Sequence, residues 1–192
     1  MSGLVVPRPT PADYAPAFAA EIGLVPDVPD FVAMLAEQRE ETTALAGWFG
    51  ESNAGLRYAP GKWTVRETVG HLADVERVLS YRMLRFLRGD ATPLARFDHD
   101  AYVPAGGFEA RTLASVLAEL RAVRGATMAL LVDAPPAAFA RGGPVGAGSI
   151  TAAALAYLIA GHERHHQALL RTRYLPLLGR RAGGAPDADA PD

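Results

Sequence analysis

Four segments of the chain carry apolar residues at steps of three and four, the spacing that lines one face of an α-helix. These stripes run over residues 31–49, 65–86, 113–131 and about 150–174. A shorter helix is predicted over 13–23, with Pro16 in the first turn, where proline is tolerated. No segment shows convincing strand alternation. The pattern therefore predicts an all-α protein whose four long helices pack as a four-helix bundle, with a short extra N-terminal helix.

Polar residues at the starts of the stripes predict where the helices begin. Asp30 and Thr64 precede the first two stripes as N-caps, and Glu67 completes a capping box with Thr64. The third helix is predicted to start at 111–112, and Ser149 is predicted to cap the fourth.

The length and composition predict one domain. The chain has 192 residues, of which 49% are hydrophobic and 21% charged, the balance of a globular protein. Residues 1–12 are expected to be extended, 13–178 to form the bundle, and 179–192 to be a flexible tail. Within the bundle, 50–61 is predicted to be a loop. Residues 91–110 form a longer connection, of a kind that is often a crossover or a functional loop.

Charge and cysteine content exclude several classes of function. The formal net charge of -2 gives no field that would attract nucleic acid or an anionic membrane. The absence of cysteine excludes disulfides, thiolate metal ligands and a cysteine nucleophile. The N-terminus does not have the pattern of a signal peptide, and no apolar run is long enough to span a bilayer. We therefore expect a cytoplasmic protein that binds neither nucleic acid nor membranes.

Three of the five histidines lie within residues 162–166. His162 and His166 are four apart, so a helix places both imidazoles on one face, one turn apart. Two such nitrogens can converge on one divalent metal ion, and His71, at the edge of the second stripe, is the candidate third ligand. The alternative is a polar core network, in which three buried neutral imidazoles would each need a hydrogen-bond partner.

His165 has several possible roles. It lies close to the face of His162, so it could replace His166 as a ligand, orient a ligand, or lie at an interface. Glu163 and Arg164 fall off that face and are predicted to be solvated charges.

Asp74 lies one turn after His71 and has two interpretations. It could accept a hydrogen bond from the free N–H of a ligating imidazole. It could equally be a surface acid paired with Arg77 or Arg66.

Two aromatic residues and one further histidine complete the candidates. Trp63 and Tyr102 could line the mouth of a pocket, although packing in the core or a loop is the more common role of such residues. His99 with Asp98 and Asp100 could form another metal site, but this set has a single histidine in an acidic loop and ranks below the three-histidine site.

Five stretches of the chain together resemble the DinB/YfiT-like superfamily, in the right order and at the right helical positions. They are 13–16 (DYAP), 58–67 (YAPGKWTVRE), 70–77 (GHLADVER), 97–103 (FDHDAYV) and 160–166 (AGHERHH). The resemblance covers roughly residues 8–175. It implies an up-down-down-up four-helix bundle that binds a divalent metal ion, usually nickel or zinc, through three histidines. Matched by motif, these ligands are His71, His162 and His166. The resemblance also implies a homodimer.

Members of this superfamily with known activity are thiol-dependent transferases and isomerases that use a low-molecular-weight thiol. A metal with three neutral nitrogen ligands and open positions would activate either a water or a thiol. The sequence therefore predicts a metal-dependent enzyme acting on a small molecule: a thiol-dependent S-transferase with an electrophilic substrate, or a hydrolase. The alternative is a non-catalytic metal- or ligand-binding protein of the stress response.

Overall fold

The computed structural model of the chain describes residues 3–90, 92–146 and 148–182. These residues form a bundle of four long helices, with short helices and one β-hairpin in the connections. The α-helices are α1 (Ala19–Gly23), α2 (Phe31–Gly47), α3 (Gly50–Asn53), α4 (Val65–Leu87), α5 (His99–Ala105), α6 (Leu113–Val132), α7 (Ala152–Leu169) and α8 (Leu175–Ala182). The short 3-10 turns are Pro16–Phe18, Phe108–Ala110 and Pro136–Ala140, and a π-helical turn, Leu170–Tyr174, joins α7 to α8.

The helix starts follow from local capping chemistry. The Asp30 carboxylate accepts hydrogen bonds from the first backbone N–H groups of α2. Thr64 and Glu67 form the predicted capping box at the start of α4, and Thr112 caps α6. Each cap satisfies backbone donors that have no partner inside the helix, which is why these polar residues mark the helix ends.

Contacts between the long helices define an up-down-down-up bundle. Helices α4 and α6 run in parallel, because Arg66 near the start of α4 bonds the carbonyl of Glu109 just before α6, and Glu76 further along meets Arg124. Helices α2 and α7 are also parallel, as shown by contacts that advance together along both. These contacts are Phe31 with Tyr157, Gln38 with Ala160 and Thr42 with Glu163. The predicted fold class is confirmed.

One feature of the structure contradicts the expectation that the chain has no strands. Gly142–Val145 (β1) and Gly148–Thr151 (β2) pair as an antiparallel hairpin. These strands are four residues long and contain glycine and proline, so they show too little alternation of apolar and polar residues for recognition. Ser149 lies in β2, and the residue that caps α7 is Thr151, whose hydroxyl accepts from the Ala154 N–H at 3.2 Å.

The predicted connections contain more helix than expected. Helix α3 lies in the predicted 50–61 loop, and α5 lies in the 91–110 connection, where Asp98 caps it. The fourth long helix ends at Leu169 rather than near Tyr174, and α8 follows the π-helical turn. Residues 179–182 belong to α8, and the rest of the predicted tail, 183–192, lies outside the described residues.

The core of the bundle is centred on α7. Residues 152–161 of this helix are all buried, and α1, α2 and α4 pack around them. The histidines follow directly on this buried stretch. None of the helices in the described part of the chain combines the length and the apolar character needed to cross a bilayer.

Candidate metal centre

The bundle brings together the three predicted histidines from two antiparallel helices. His71 comes from α4, and His162 and His166 come from successive turns of α7. One ligating nitrogen of each ring lies within 4.8 Å of the others, and the Nε2 atoms of His71 and His162 are 3.1 Å apart. His71 and His166 are buried, with 2% and 7% of their surface exposed, and His162 is half-buried.

The surroundings keep these imidazoles neutral. Burial, with the nearby His99 as a smaller contribution, lowers the pKa of His71 to about 4. Burial and the neighbouring His71 lower the pKa of His162 to about 3, and burial also places the pKa of His166 well below its usual range. A neutral imidazole presents a lone pair, so all three side chains are in the form that binds a metal ion at neutral pH.

Two nitrogens of this cluster lack protein partners. The Nδ1 atoms of His71 and His166 are buried and have no hydrogen-bond partner among the described residues. Asp74 does not supply one, because its carboxylate pairs with Arg77 at 3.3 Å. The structure thus places Asp74 in the ion pair with Arg77. A divalent ion fits this donor set, because one neutral nitrogen from each of the three rings lies within 4.8 Å of the other two.

The other two histidines lie nearby but outside the convergent set. His165 is exposed, and its ring centroid is 5.1 Å from that of His166. The ring of His99 is 5.5 Å from that of His71. The predicted Asp98–His99–Asp100 site does not assemble in the described part of the chain, because Asp98 caps α5 and only Asp100 approaches the His99 ring, at 3.2 Å.

The three histidines line a cavity of about 930 Å³. This volume is in the range of sites for small molecules. Trp63 forms part of the wall, with its ring centroid 4.5 Å from that of His71. Tyr102 does not line the cavity: it is 42% exposed and packs against Phe97 instead.

Comparison with known proteins agrees with this geometry. The model of the DinB superfamily matches residues 34–170, which include all three histidines. The chain belongs to the DinB superfamily. Among curated protein sequences, none matched the chain significantly.

Two solved structures are similar to this DinB bundle. YfiT from Bacillus subtilis, described as a probable metal-dependent hydrolase with an unusual four-helix bundle topology, is 26% identical, with a TM-score of 0.67. The match covers 81% of this chain and 87% of YfiT. A DinB-like protein of Bacillus subtilis, YjoA, is 16% identical, with a TM-score of 0.56 over 81% of this chain and 93% of its own, and supports the fold alone.

Sequence reasoning missed several residues that line the cavity of this DinB protein. Glu21, Arg82 and Arg96 contribute charged groups beside the histidines, and residues 14–18 and the β-hairpin close its walls. Burial raises the pKa of the Glu21 carboxyl. One signal was available in the sequence: Arg82 is eleven residues after His71 and therefore interrupts the same apolar face of α4 with a charge.

The prediction that Glu163 is solvated is wrong. Glu163 is 2% exposed, accepts a hydrogen bond from the Thr42 hydroxyl at 2.6 Å, and pairs with Arg124 at 2.7 Å. Arg124 also donates two hydrogen bonds of 2.8 Å to Glu76. This ion network joins all four long helices, and it fixes the rotation of α7 so that His162, the residue before Glu163, faces the cavity. Arg164, also predicted to be solvated, is half-buried.

Glycines directly before two of the histidines allow close packing at the site. A Cβ atom on Gly161 would lie 2.0 Å from the carbonyl oxygen of Glu21, so α1 can contact α7 only because this position has no side chain. A Cβ atom on Gly70 would lie 2.4 Å from the Phe108 ring. The glycines thus let neighbouring segments pack against the backbone that carries the site histidines.

Proposed function

We propose that this DinB protein is a metal-dependent enzyme in which His71, His162 and His166 hold one divalent ion, zinc or nickel. The observation that carries the proposal is the convergence of three neutral imidazoles on the wall of a cavity of about 930 Å³. Three protein ligands leave coordination positions for a reactant, which is typical of catalytic rather than structural sites. The description of YfiT as a probable metal-dependent hydrolase supports the same class of function.

The reaction we propose is nucleophilic attack on an electrophilic small molecule held in the cavity. The ion supplies Lewis acidity that makes a water or a thiol nucleophilic at neutral pH. The chain has no cysteine, so in thiol transfer the thiol is a cosubstrate. The rings of Trp63 and His71 pack together, so Trp63 limits the approach to the histidines and excludes water from that side.

The test is the metal content of the purified, untagged protein, measured by mass spectrometry after exposure to zinc or nickel. We expect about one ion per chain in the wild type and none in the His71→Ala/His162→Ala variant. The control is His165→Gln, which changes an exposed histidine beside the cluster and should retain the ion. Retention of metal by the double variant, or failure of the wild type to bind either metal, would overturn the assignment.

Activity is then compared between metal-loaded wild type and the double variant. One assay joins a low-molecular-weight thiol to a fluorogenic electrophile, and the other follows hydrolysis of an activated ester. We expect metal-dependent turnover in at least one assay and its loss in the double variant. Stoichiometric metal binding without turnover across a broad panel of thiols, electrophiles and esters would instead favour a metal- or ligand-binding protein.

A further inference from the structure

Arg82 is a buried cation with no carboxylate counter-ion within residues 3–90, 92–146 and 148–182. It is 7% exposed, and among the described residues no carboxylate forms an ion pair with it. Its one side-chain hydrogen bond there is from Nη2 to the carbonyl oxygen of Ala95, at 2.8 Å. The guanidinium also lies 5.0 Å from the centre of the Phe97 ring. A guanidinium has five N–H donors and stays protonated at neutral pH, so these contacts leave most of its binding capacity unused.

The unused donors face the same cavity as the histidines. Arg82 and the exposed Arg96 both line it. The Arg82 nitrogens that have no hydrogen-bond partner among the described residues retain some accessible surface. An uncompensated buried charge is costly, and a protein retains one where a ligand of opposite charge completes it. The geometry therefore calls for an anion rather than for another protein group.

The cavity is polarised along α4. His71 and Arg82 lie on one face of this helix, eleven residues and about 16 Å apart along its axis. The carboxyl group of Glu21 belongs to the histidine end, where it interacts with His165 and His99. The arginines lie toward the other end of α4.

Apolar side chains line the cavity between these two ends. Val75 and Leu79 continue the α4 face, and Leu158 lies one turn before His162 on α7. The site thus offers a cationic end, an apolar middle and a metal-binding end.

We propose that Arg82, assisted by Arg96, binds an oxyanion group of the substrate, a carboxylate or a phosphate, at the end of the cavity opposite the three histidines. The substrate class is a small amphiphilic anion whose apolar body lies along Val75, Leu79 and Leu158. This inference rests on the proposed function for the reacting end of the molecule. The anion site itself depends on residues that do not bind the metal.

The test compares three probes that share one apolar body: phenylbutyrate, phenylbutyl phosphate and the neutral phenylbutanol. Their affinities are measured by calorimetry for the full chain after metal removal and dialysis, so that no probe binds through a metal ion. We expect at least one anion to bind about 10- to 100-fold more tightly than the alcohol, the range for hydrogen bonds to charged groups. Whether carboxylate or phosphate is preferred identifies the oxyanion.

Matched variants test whether Arg82 is the residue responsible for the preference for an anionic probe. Arg82→Gln should abolish it, and Arg82→Lys should weaken it because the forked geometry is lost. Arg88→Gln removes the same charge from the exposed end of the same helix and should leave the preference unchanged. Thermal unfolding of each variant verifies folding. If Arg82→Gln does not fold, Arg82→Lys provides the test.

Equal binding of the three probes by the wild type, or an anion preference that persists in both Arg82 variants, would overturn the proposal. The metal measurement fails or succeeds independently. An anion preference in a protein that binds no metal would support this inference and overturn the proposed function. Metal binding without an anion preference would support the proposed function and overturn this inference.

Discussion

Two buried arginines in this bundle have opposite surroundings. Arg124 lies at the centre of the ion network, where Glu76 and Glu163 both approach it within 2.8 Å. Arg82 lies in the cavity wall, and in the described part of the chain its side chain bonds a single backbone carbonyl. Both charges are removed from bulk water, but among the described residues carboxylates neutralise only Arg124. The difference indicates that Arg124 serves the packing of the helices and that Arg82 is available to a ligand.

The same contrast occurs within one turn of α7. On one side, Glu163 accepts from Thr42, and the Gln167 side chain donates to the Thr42 hydroxyl at 2.8 Å. On the other side, the buried Nδ1 atom of His166 has no partner in the described part of the chain. Native proteins satisfy buried polar groups almost everywhere. The Nδ1 atom of His166, unpartnered among the described residues, is therefore an exception, and it belongs to a residue that lines the cavity.

The largest expected effect comes from removing the paired arginine. Arg124→Gln leaves Glu76 and Glu163 buried without a counter-charge, and we expect the free energy of unfolding to fall by about 3–5 kcal/mol. Arg82→Gln removes an unpaired charge and retains a donor for Ala95, so the change should stay within about 1 kcal/mol. Urea denaturation of both variants beside the wild type measures the difference. Similar losses in the two variants would show that the contrast between the arginines is not energetic.

The second prediction concerns pH and uses the metal-free protein. The pKa values of His71 and His162 are lowered to about 4 and about 3, whereas an unfolded histidine has a pKa of about 6.5. The unfolded chain therefore takes up protons first as the pH falls. The free energy of unfolding should decrease from about pH 6.5 downward, by up to about 1.4 kcal/mol per pH unit for each such histidine.

His71→Asn tests this contribution above about pH 5, where the folded-state His71 and His162 are mostly neutral. Above about pH 7 the wild-type histidine is neutral in both states. Between about pH 6.5 and 5 the variant should lose less stability than the wild type, by up to about 1.4 kcal/mol per pH unit. Identical slopes in chemical denaturation across this window would mean that His71 is not desolvated in the metal-free protein.

The third prediction compares two helical glycines. Gly161→Ala forces a methyl group against the Glu21 carbonyl, and we expect a loss of about 1–3 kcal/mol together with weaker zinc binding. Gly125→Ala adds a methyl group in α6 where nothing lies within 4 Å, and should stabilise the protein by about 0.5–1 kcal/mol. Thermal unfolding and zinc titration provide the two measurements. A Gly161→Ala protein that matches Gly125→Ala in both would contradict the close packing of α1 on α7.

Sequence reasoning succeeded where the deciding interaction is local. The caps at Asp30 and Thr64 depend on backbone groups two or three residues away, so they are readable from the sequence. The prediction that Ser149 caps the fourth helix failed because Ser149 belongs to β2, which pairs with β1 in a short hairpin directly before α7. The prediction that Glu163 is solvated failed for a different reason. Periodicity shows that Glu163 lies off the histidine face of α7, but it does not show that another helix covers the face on which Glu163 lies.

The sequence by itself determined the helices, their periodicity and the four-residue spacing of His162 and His166, because backbone hydrogen bonding and side-chain direction act over a few residues. Only the tertiary structure decided which charges are paired. His71 and His162 are 91 residues apart, and their meeting depends on how α4 packs against α7. The different surroundings of Arg82 and Arg124 follow from the same packing. Burial and counter-charge depend on the neighbouring helices rather than on the helix that carries the residue.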